Sequence, residues 1–141
     1  MRPMSDEERR SFLAAGAPTA ALATTRADGR PHVAPIWFLP DGDDLVFTTW
    51  HASVKGRNLA RDPRAAISVD DPAFPFSFVA IEGTCALSDD LDQLGVWAHR
   101  IAARYVPADR AEEYGRRNAV AGELLVRLSP TRITTGRGVA D

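Results

Sequence analysis

Ala20-Ala21-Leu22-Ala23-Thr24-Thr25, then Ala27-Asp28-Gly29-Arg30, then His32-Val33-Ala34-Pro35-Ile36-Trp37-Phe38-Leu39 is the stretch that decides the fold class. The first run consists of small residues with a period of two, which predicts a strand. The four residues after it predict a hairpin turn, with Gly29 free to take positive φ. The return strand is expected from His32 to Leu39, with Val33, Ile36, Trp37 and Phe38 as its apolar residues. Pro35 removes a ladder donor and marks a bulge or an edge. Pro40-Asp41-Gly42-Asp43 predicts a second turn, and Leu45 to Trp50 a third strand. Three strands joined by short turns make an antiparallel meander.

Before this meander, Ser5-Asp6-Glu7-Glu8 has the form of a capping box and predicts a short helix over about 5–15. After it, Ser53 caps a helix from Val54 to Arg61 that Asp62-Pro63 ends. Ala65 to Val69 is the fourth expected strand and Phe76 to Leu87 the fifth, with a bulge or sharp bend at Gly83. Leu91, Leu94, Trp97 and Ile101 fall on one face of a helix from about Leu91 to Tyr105, and Pro107 starts another through about Asn118. Together these form a helical insert over about 90–118. Glu123 to Ile133 is the sixth strand, and the Gly-rich tail over about 136–141 is expected to be loose. The expectation is a mainly β fold with helical insertions: a six-stranded antiparallel barrel, closed or partly closed, in one domain over 1–141.

The length of 141 residues suits one domain with its own core. Apolar residues at 45% and charged residues at 26% exclude a disordered chain. A formal net charge of -2 gives no electrostatic case for nucleic acid. The single cysteine, Cys85, excludes an intramolecular disulfide and a thiolate zinc site. No apolar run approaches the length of a membrane span, and the charged N-terminal residues do not form a signal peptide, so a cytoplasmic protein is expected.

No phosphate-binding Walker loop, GxGxxG, GxSxG or HExxH occurs, and no metal site is expected. The chemically dense segment is Thr48-Thr49-Trp50-His51-Ala52-Ser53-Val54-Lys55-Gly56-Arg57-Asn58-Leu59. A strand delivers hydroxyls and an indole to its end, and a capped helix begins directly after. The amides and dipole of a helix start favour an anion. Lys55 and Asn58 are three apart, on one face. Gly56 permits a close approach to the backbone. The Ser53 hydroxyl, one ammonium and a nearby guanidinium complete a set of groups suited to phosphate. Of the 17 basic residues, Lys55 alone is lysine, which marks it as a position where arginine does not serve.

The run from Lys55 to Arg64, Lys-Gly-Arg-Asn-Leu-Ala-Arg-Asp-Pro-Arg, resembles the K-x-R-N-L-x-x-D-P-R signature of the pyridoxamine 5'-phosphate oxidase-like split β-barrel superfamily. The chain is most similar to its branch of small flavin/deazaflavin oxidoreductases described as F420-dependent. Asp28-Gly29-Arg30-Pro31-His32-Val33-Ala34-Pro35, Glu82-Gly83-Thr84, Arg104-Tyr105 and Arg117-Asn118-Ala119-Val120 extend the resemblance along nearly the whole chain.

The resemblance implies a homodimer with a flavin-type cofactor in two clefts at the subunit interface. By position, Lys55 would meet the cofactor phosphate, with Arg57, Asn58 and Ser53 beside it. Thr48 and Thr49 would lie near the phosphate or ring, and the backbone of Pro35, Ile36 and Trp37 would line the ring face. The expected function is hydride transfer from reduced deazaflavin F420, or alternatively FMN, to an electron-poor small organic substrate. A binding module without turnover, for flavin, deazaflavin or haem, is the other class of function, with His32 or His51 as the haem ligand. His51 and Tyr105 are the side-chain candidates for a proton donor, against water. Trp37, Phe47 and Trp50 are expected on the apolar sheet face that a second copy would cover.

Overall fold

The hydrophobic periods place seven strands and four α-helices along the chain, and the computed structural model describes residues 1–141. Helix α1 (Asp6–Ala14) starts at Ser5, whose hydroxyl accepts the Glu8 amide while the Glu8 carboxylate accepts the Ser5 amide. Strands β1 (Ala20–Thr25) and β2 (Pro31–Ile36) form the first hairpin. Strand β3 (Leu39–Asp41) and strand β4 (Asp44–Trp50) form the second. Helix α2 (Val54–Arg61) leads to β5 (Arg64–Asp71) and β6 (Ser77–Ser88). Helices α3 (Leu91–Tyr105) and α4 (Ala111–Arg117) precede β7 (Glu123–Arg137).

All seven strands join one antiparallel sheet in the order β2-β1-β5-β6-β7-β4-β3. The number is therefore seven rather than six, because the stretch read as one strand from His32 to Leu39 is broken. Its first part pairs with β1 and its last residue, Leu39, with Val46 of β4. Trp37 and Phe38 lie between and belong to neither ladder. One length of chain thus lines both free edges of the sheet, and the ladder stays open between them. The sequence could not show this break, because the apolar run Ile36-Trp37-Phe38-Leu39 continues straight through it.

Alternation sorts the strand residues. Leu22, Leu45, Phe47, Ile67, Val69, Val79, Ile81, Val126 and Leu128 face one shared core with Leu13 of α1 and Leu59 of α2. Phe47 is fully buried there, so it does not belong to an exposed sheet face, whereas Trp37 and Trp50 are 39% and 44% exposed. The strand parity of Phe47 within β4, opposite to that of Thr48 and Trp50, is the reason. Helix α3 covers the other face of β4 and β7 through Leu94 and Trp97 against Val46 and Leu125.

At Gly83 the register between β6 and β7 shifts, as the bend expected there requires. The tail is more ordered than its glycines imply. Gly136 pairs with Phe78, and the amides of Val139 and Ala140 donate to the carbonyls of Phe76 and Pro75 at 3.0 and 2.9 Å. No helix is long and apolar enough to cross a membrane.

Candidate functional site

Strand β4 ends at Trp50, and three residues later Ser53 opens α2. The Ser53 hydroxyl accepts the Gly56 amide at 3.1 Å and donates to the Trp50 carbonyl at 2.7 Å. Its proton is thereby committed, so the Thr49 hydroxyl donates to it at 3.0 Å. A Cβ on residue 56 would collide with the Trp50 carbonyl oxygen, so glycine is what lets the first turn of α2 seat against the end of β4. The result is a rigid, capped helix start at the open side of the sheet.

The candidate phosphate residues separate here. Lys55 is half-buried and enters none of the ion pairs of the chain. Arg57 is exposed, and two residues along a helix put it on a different face from Lys55. Asn58 is buried at 4% exposure; its amide donates to the Thr24 hydroxyl at 3.0 Å and its carbonyl accepts from Arg61 at 3.3 Å. Asn58 therefore anchors α2 to β1 rather than facing outward with Lys55. Thr49 is likewise buried, while Thr48 is half-buried on the same strand face as Trp50.

Across the opening stand Pro35, Ile36 and Trp37. Pro35 is exposed and Ile36 buried. The Trp37 ring stacks on Tyr105, with centroids 5.1 Å apart and planes 7° apart. Tyr105 is fixed in turn: its hydroxyl donates to the Pro18 carbonyl at 2.7 Å and accepts the Phe38 amide at 3.2 Å. Arg104 donates to the carbonyls of Leu13, Phe38 and Gly16 at 2.6, 2.8 and 3.0 Å. This adjacent pair thus satisfies main-chain groups that the strand break and the end of α1 would leave orphaned. Burial pushes the Tyr105 phenol above its ordinary value, with a smaller opposing pull from the Phe38 backbone and Arg104.

A further wall, unforeseen from the sequence, comes from the turn into β7. The Gly122 carbonyl accepts both the His51 amide at 2.9 Å and His51 Nδ1 at 3.0 Å. Nδ1 therefore carries a proton, because a carbonyl only accepts. Gly122 has φ +101°, and the six-membered ring of Trp50 lies where its Cβ would be. The next residue, Glu123, is half-buried and pairs with Trp50 across the ladder. Its carboxyl is raised by burial, against the opposing pull of Lys55 and Arg117. The only sequence signal for it was one acid heading the apolar run Leu124-Leu125-Val126.

Other reactive groups lie elsewhere. His32 is half-buried, with Nδ1 enclosed and unpartnered. Burial raises the Cys85 thiol to about 11, so it stays protonated and is no nucleophile. No group of three or more His, Cys, Asp or Glu is placed to hold a metal ion.

The family profile described as pyridoxamine 5'-phosphate oxidase matches residues 5–135. The chain belongs to the pyridoxamine 5'-phosphate oxidase family. Over 112 residues it is 34% identical to a pyridoxine/pyridoxamine 5'-phosphate oxidase of Pseudomonas entomophila (strain L48), covering 75% of this chain and 52% of that one. The chain thus spans about half the length of that curated relative. Among solved structures it superposes on a conserved hypothetical protein, Rv2991 of Mycobacterium tuberculosis, with a TM-score of 0.82 at 23% identity, covering 96% and 86% of the two chains. It superposes on an F420 reductase with a TM-score of 0.69 at 28% identity, covering 87% and 94%.

Proposed function

We propose that this chain is a homodimeric oxidoreductase that holds deazaflavin F420, with FMN as the alternative, and passes hydride to an electron-poor small organic substrate. The observation that carries the reading is the capped start of α2, where Lys55 stands without an ionic partner beside a helix N-terminus at the open side of the sheet. This donor set suits a phosphate: one compact ammonium, the positive end of a helix and a turn held rigid by Thr49, Ser53 and Gly56. The 28% identity to an F420 reductase over most of both chains supports deazaflavin as the preferred cofactor.

In this reading Lys55 binds the phosphate and Arg57 supplements it from the exposed flank. Ser53, Thr49 and Asn58 hold α2 in place, and Thr48 and the backbone from Pro35 to Trp37 border the ring. The bound ring supplies the hydride chemistry. In this reading water supplies the accompanying proton: the Tyr105 hydroxyl already donates to a buried carbonyl, and His51, exposed and held through Nδ1 by Gly122, is the side chain left to compete with water through Nε2.

A second copy has a surface to cover. On the outer side of β2, β1, β5 and β6, Val33, Ala21, Ala23, Ala66 and Ala80 line one shallow apolar groove, and Val33 is 66% exposed. The small organic substrate and the cytoplasm complete the proposal, and neither nucleic acid nor membrane has a role in it.

Lys55→Ala tests the reading. A charge-assisted bond to phosphate is worth roughly 1.5–3 kcal/mol, so affinity for F420 and FMN is expected to fall about one to two powers of ten. Replacing one arginine outside residues 53–64 should change it far less. Equal fluorescence titration curves for variant and parent would remove the phosphate assignment.

A further inference from the structure

The charge balance around Lys55 selects among phosphates. Glu123 heads β7 opposite Trp50, half-buried, and the Trp50 ring packed on Gly122 holds that residue beside the start of α2. The positive charges that pull on its carboxyl against burial are Lys55 of α2 and Arg117 at the end of α4, while His51 of the intervening turn is held through Nδ1 on the carbonyl of the adjacent Gly122. On this face β4 carries Asp44, Val46, Thr48 and Trp50, with Asp44 at the far end of the strand from Trp50. The next charge along β7, Arg127, is held by Asp41 and Asp44 at 2.8 and 3.3 Å. From α3, Arg100 lies over Trp97, 4.3 Å from the ring centroid. Two cations against one carboxylate leave a single net positive charge.

We propose that Glu123 makes this site selective for a singly charged phosphodiester over a doubly charged phosphomonoester. The inference rests on the cofactor reading above and names the phosphate class within it. A phosphomonoester carries about -1.5 to -2 charge at neutral pH, with a second pKa of about 6, whereas a diester has no second proton to lose. A dianion set against Lys55 leaves its surplus charge against the Glu123 carboxylate, in a half-buried place where like charges repel. Binding the monoester therefore requires uptake of a proton, by the carboxylate or by the phosphate itself. Binding the diester requires none. The carboxyl is already raised by burial, which eases that uptake without making it free. Deazaflavin F420 joins its side chain through a phosphodiester and FMN ends in a monoester, so the selectivity acts in the direction of the preferred cofactor.

The test uses one ring with two phosphates, FMN and its monomethyl phosphodiester, titrated into the full-length protein by fluorescence and by calorimetry. At pH 8 the diester is expected to bind about tenfold more tightly, the equivalent of one pK unit. FMN binding should take up protons, seen as heats that differ between buffers of unlike ionisation enthalpy. Glu123→Gln should narrow the gap by tightening FMN more than the diester and should abolish the uptake. Arg117→Gln, which removes one cation, should widen it. Equal affinities in the parent, or equal weakening of both ligands by Glu123→Gln, would overturn the selectivity while leaving the cofactor reading standing. Failure of either flavin and of F420 to bind the folded parent would overturn both.

Discussion

At the scale of single residues, the structure divides the polar side chains near the open edge by what they have left to offer. Tyr105, Thr49, Ser53 and Asn58 have spent their hydrogen-bonding capacity on the protein. Lys55 and Arg57 have not. This division disfavours Tyr105 as the proton donor in the proposed reaction and leaves His51 to compete with water. General acid catalysis contributes about 10²–10⁴-fold, so a side-chain acid would be conspicuous when removed. Tyr105→Phe should leave kcat of the folded fraction within a few-fold while lowering Tm, because the Pro18 carbonyl and Phe38 amide lose their partner, at about 1–3 kcal/mol. His51→Ala should likewise leave kcat nearly unchanged at saturating cofactor. A hundredfold drop in either variant with cofactor affinity intact would name the acid. The residues of the dense segment were legible because a strand end followed by Ser, Lys and Gly is a local pattern. Which of them face outward was not, since Lys55 and Asn58 share helical spacing yet only Asn58 meets Thr24 of β1.

At the scale of elements, the site depends on two turns docked on each other. The turn from β4 to α2 carries the residues proposed to hold the phosphate, and the turn from α4 to β7 supports it through Gly122. Gly122→Ala meets two obstacles: a positive φ, and the Trp50 ring where the methyl would stand. It should cost about 1–3 kcal/mol and speed amide exchange at His51 before exchange in the core strands changes. Unchanged Tm and His51 protection would show that the docking contributes nothing. This contact joins residues about seventy positions apart, as the pairing of His51 with Gly122 does, and no periodicity reports such a distance. The same limit explains the split strand. The run from Ile36 to Leu39 is apolar without interruption, but Arg104 and Tyr105 fix the break at Phe38 from a helix far along the chain. Capping boxes, turns and the Gly83 bulge were legible because each is set by its neighbours or by an absent side chain.

At the scale of the whole molecule, family and fold were legible from motif order, while the assembly rests on an exposed face. Val33 with the alanines of β1, β5 and β6 leaves apolar surface on one side of the sheet, and a two-fold contact is the arrangement that covers such a face in a self-complementary way. Light scattering at micromolar concentration with cofactor present should give twice the 15.3 kDa chain mass. A charged residue at Val33 should shift the mass toward the monomer, and a monomeric parent would remove the interface. The most direct measurement is the absorption spectrum of protein purified from a host that makes both F420 and FMN. A bound deazaflavin spectrum at one cofactor per protomer is expected, absent from Lys55→Ala prepared in the same way. A colourless parent that takes up neither cofactor on titration would contradict the proposed function.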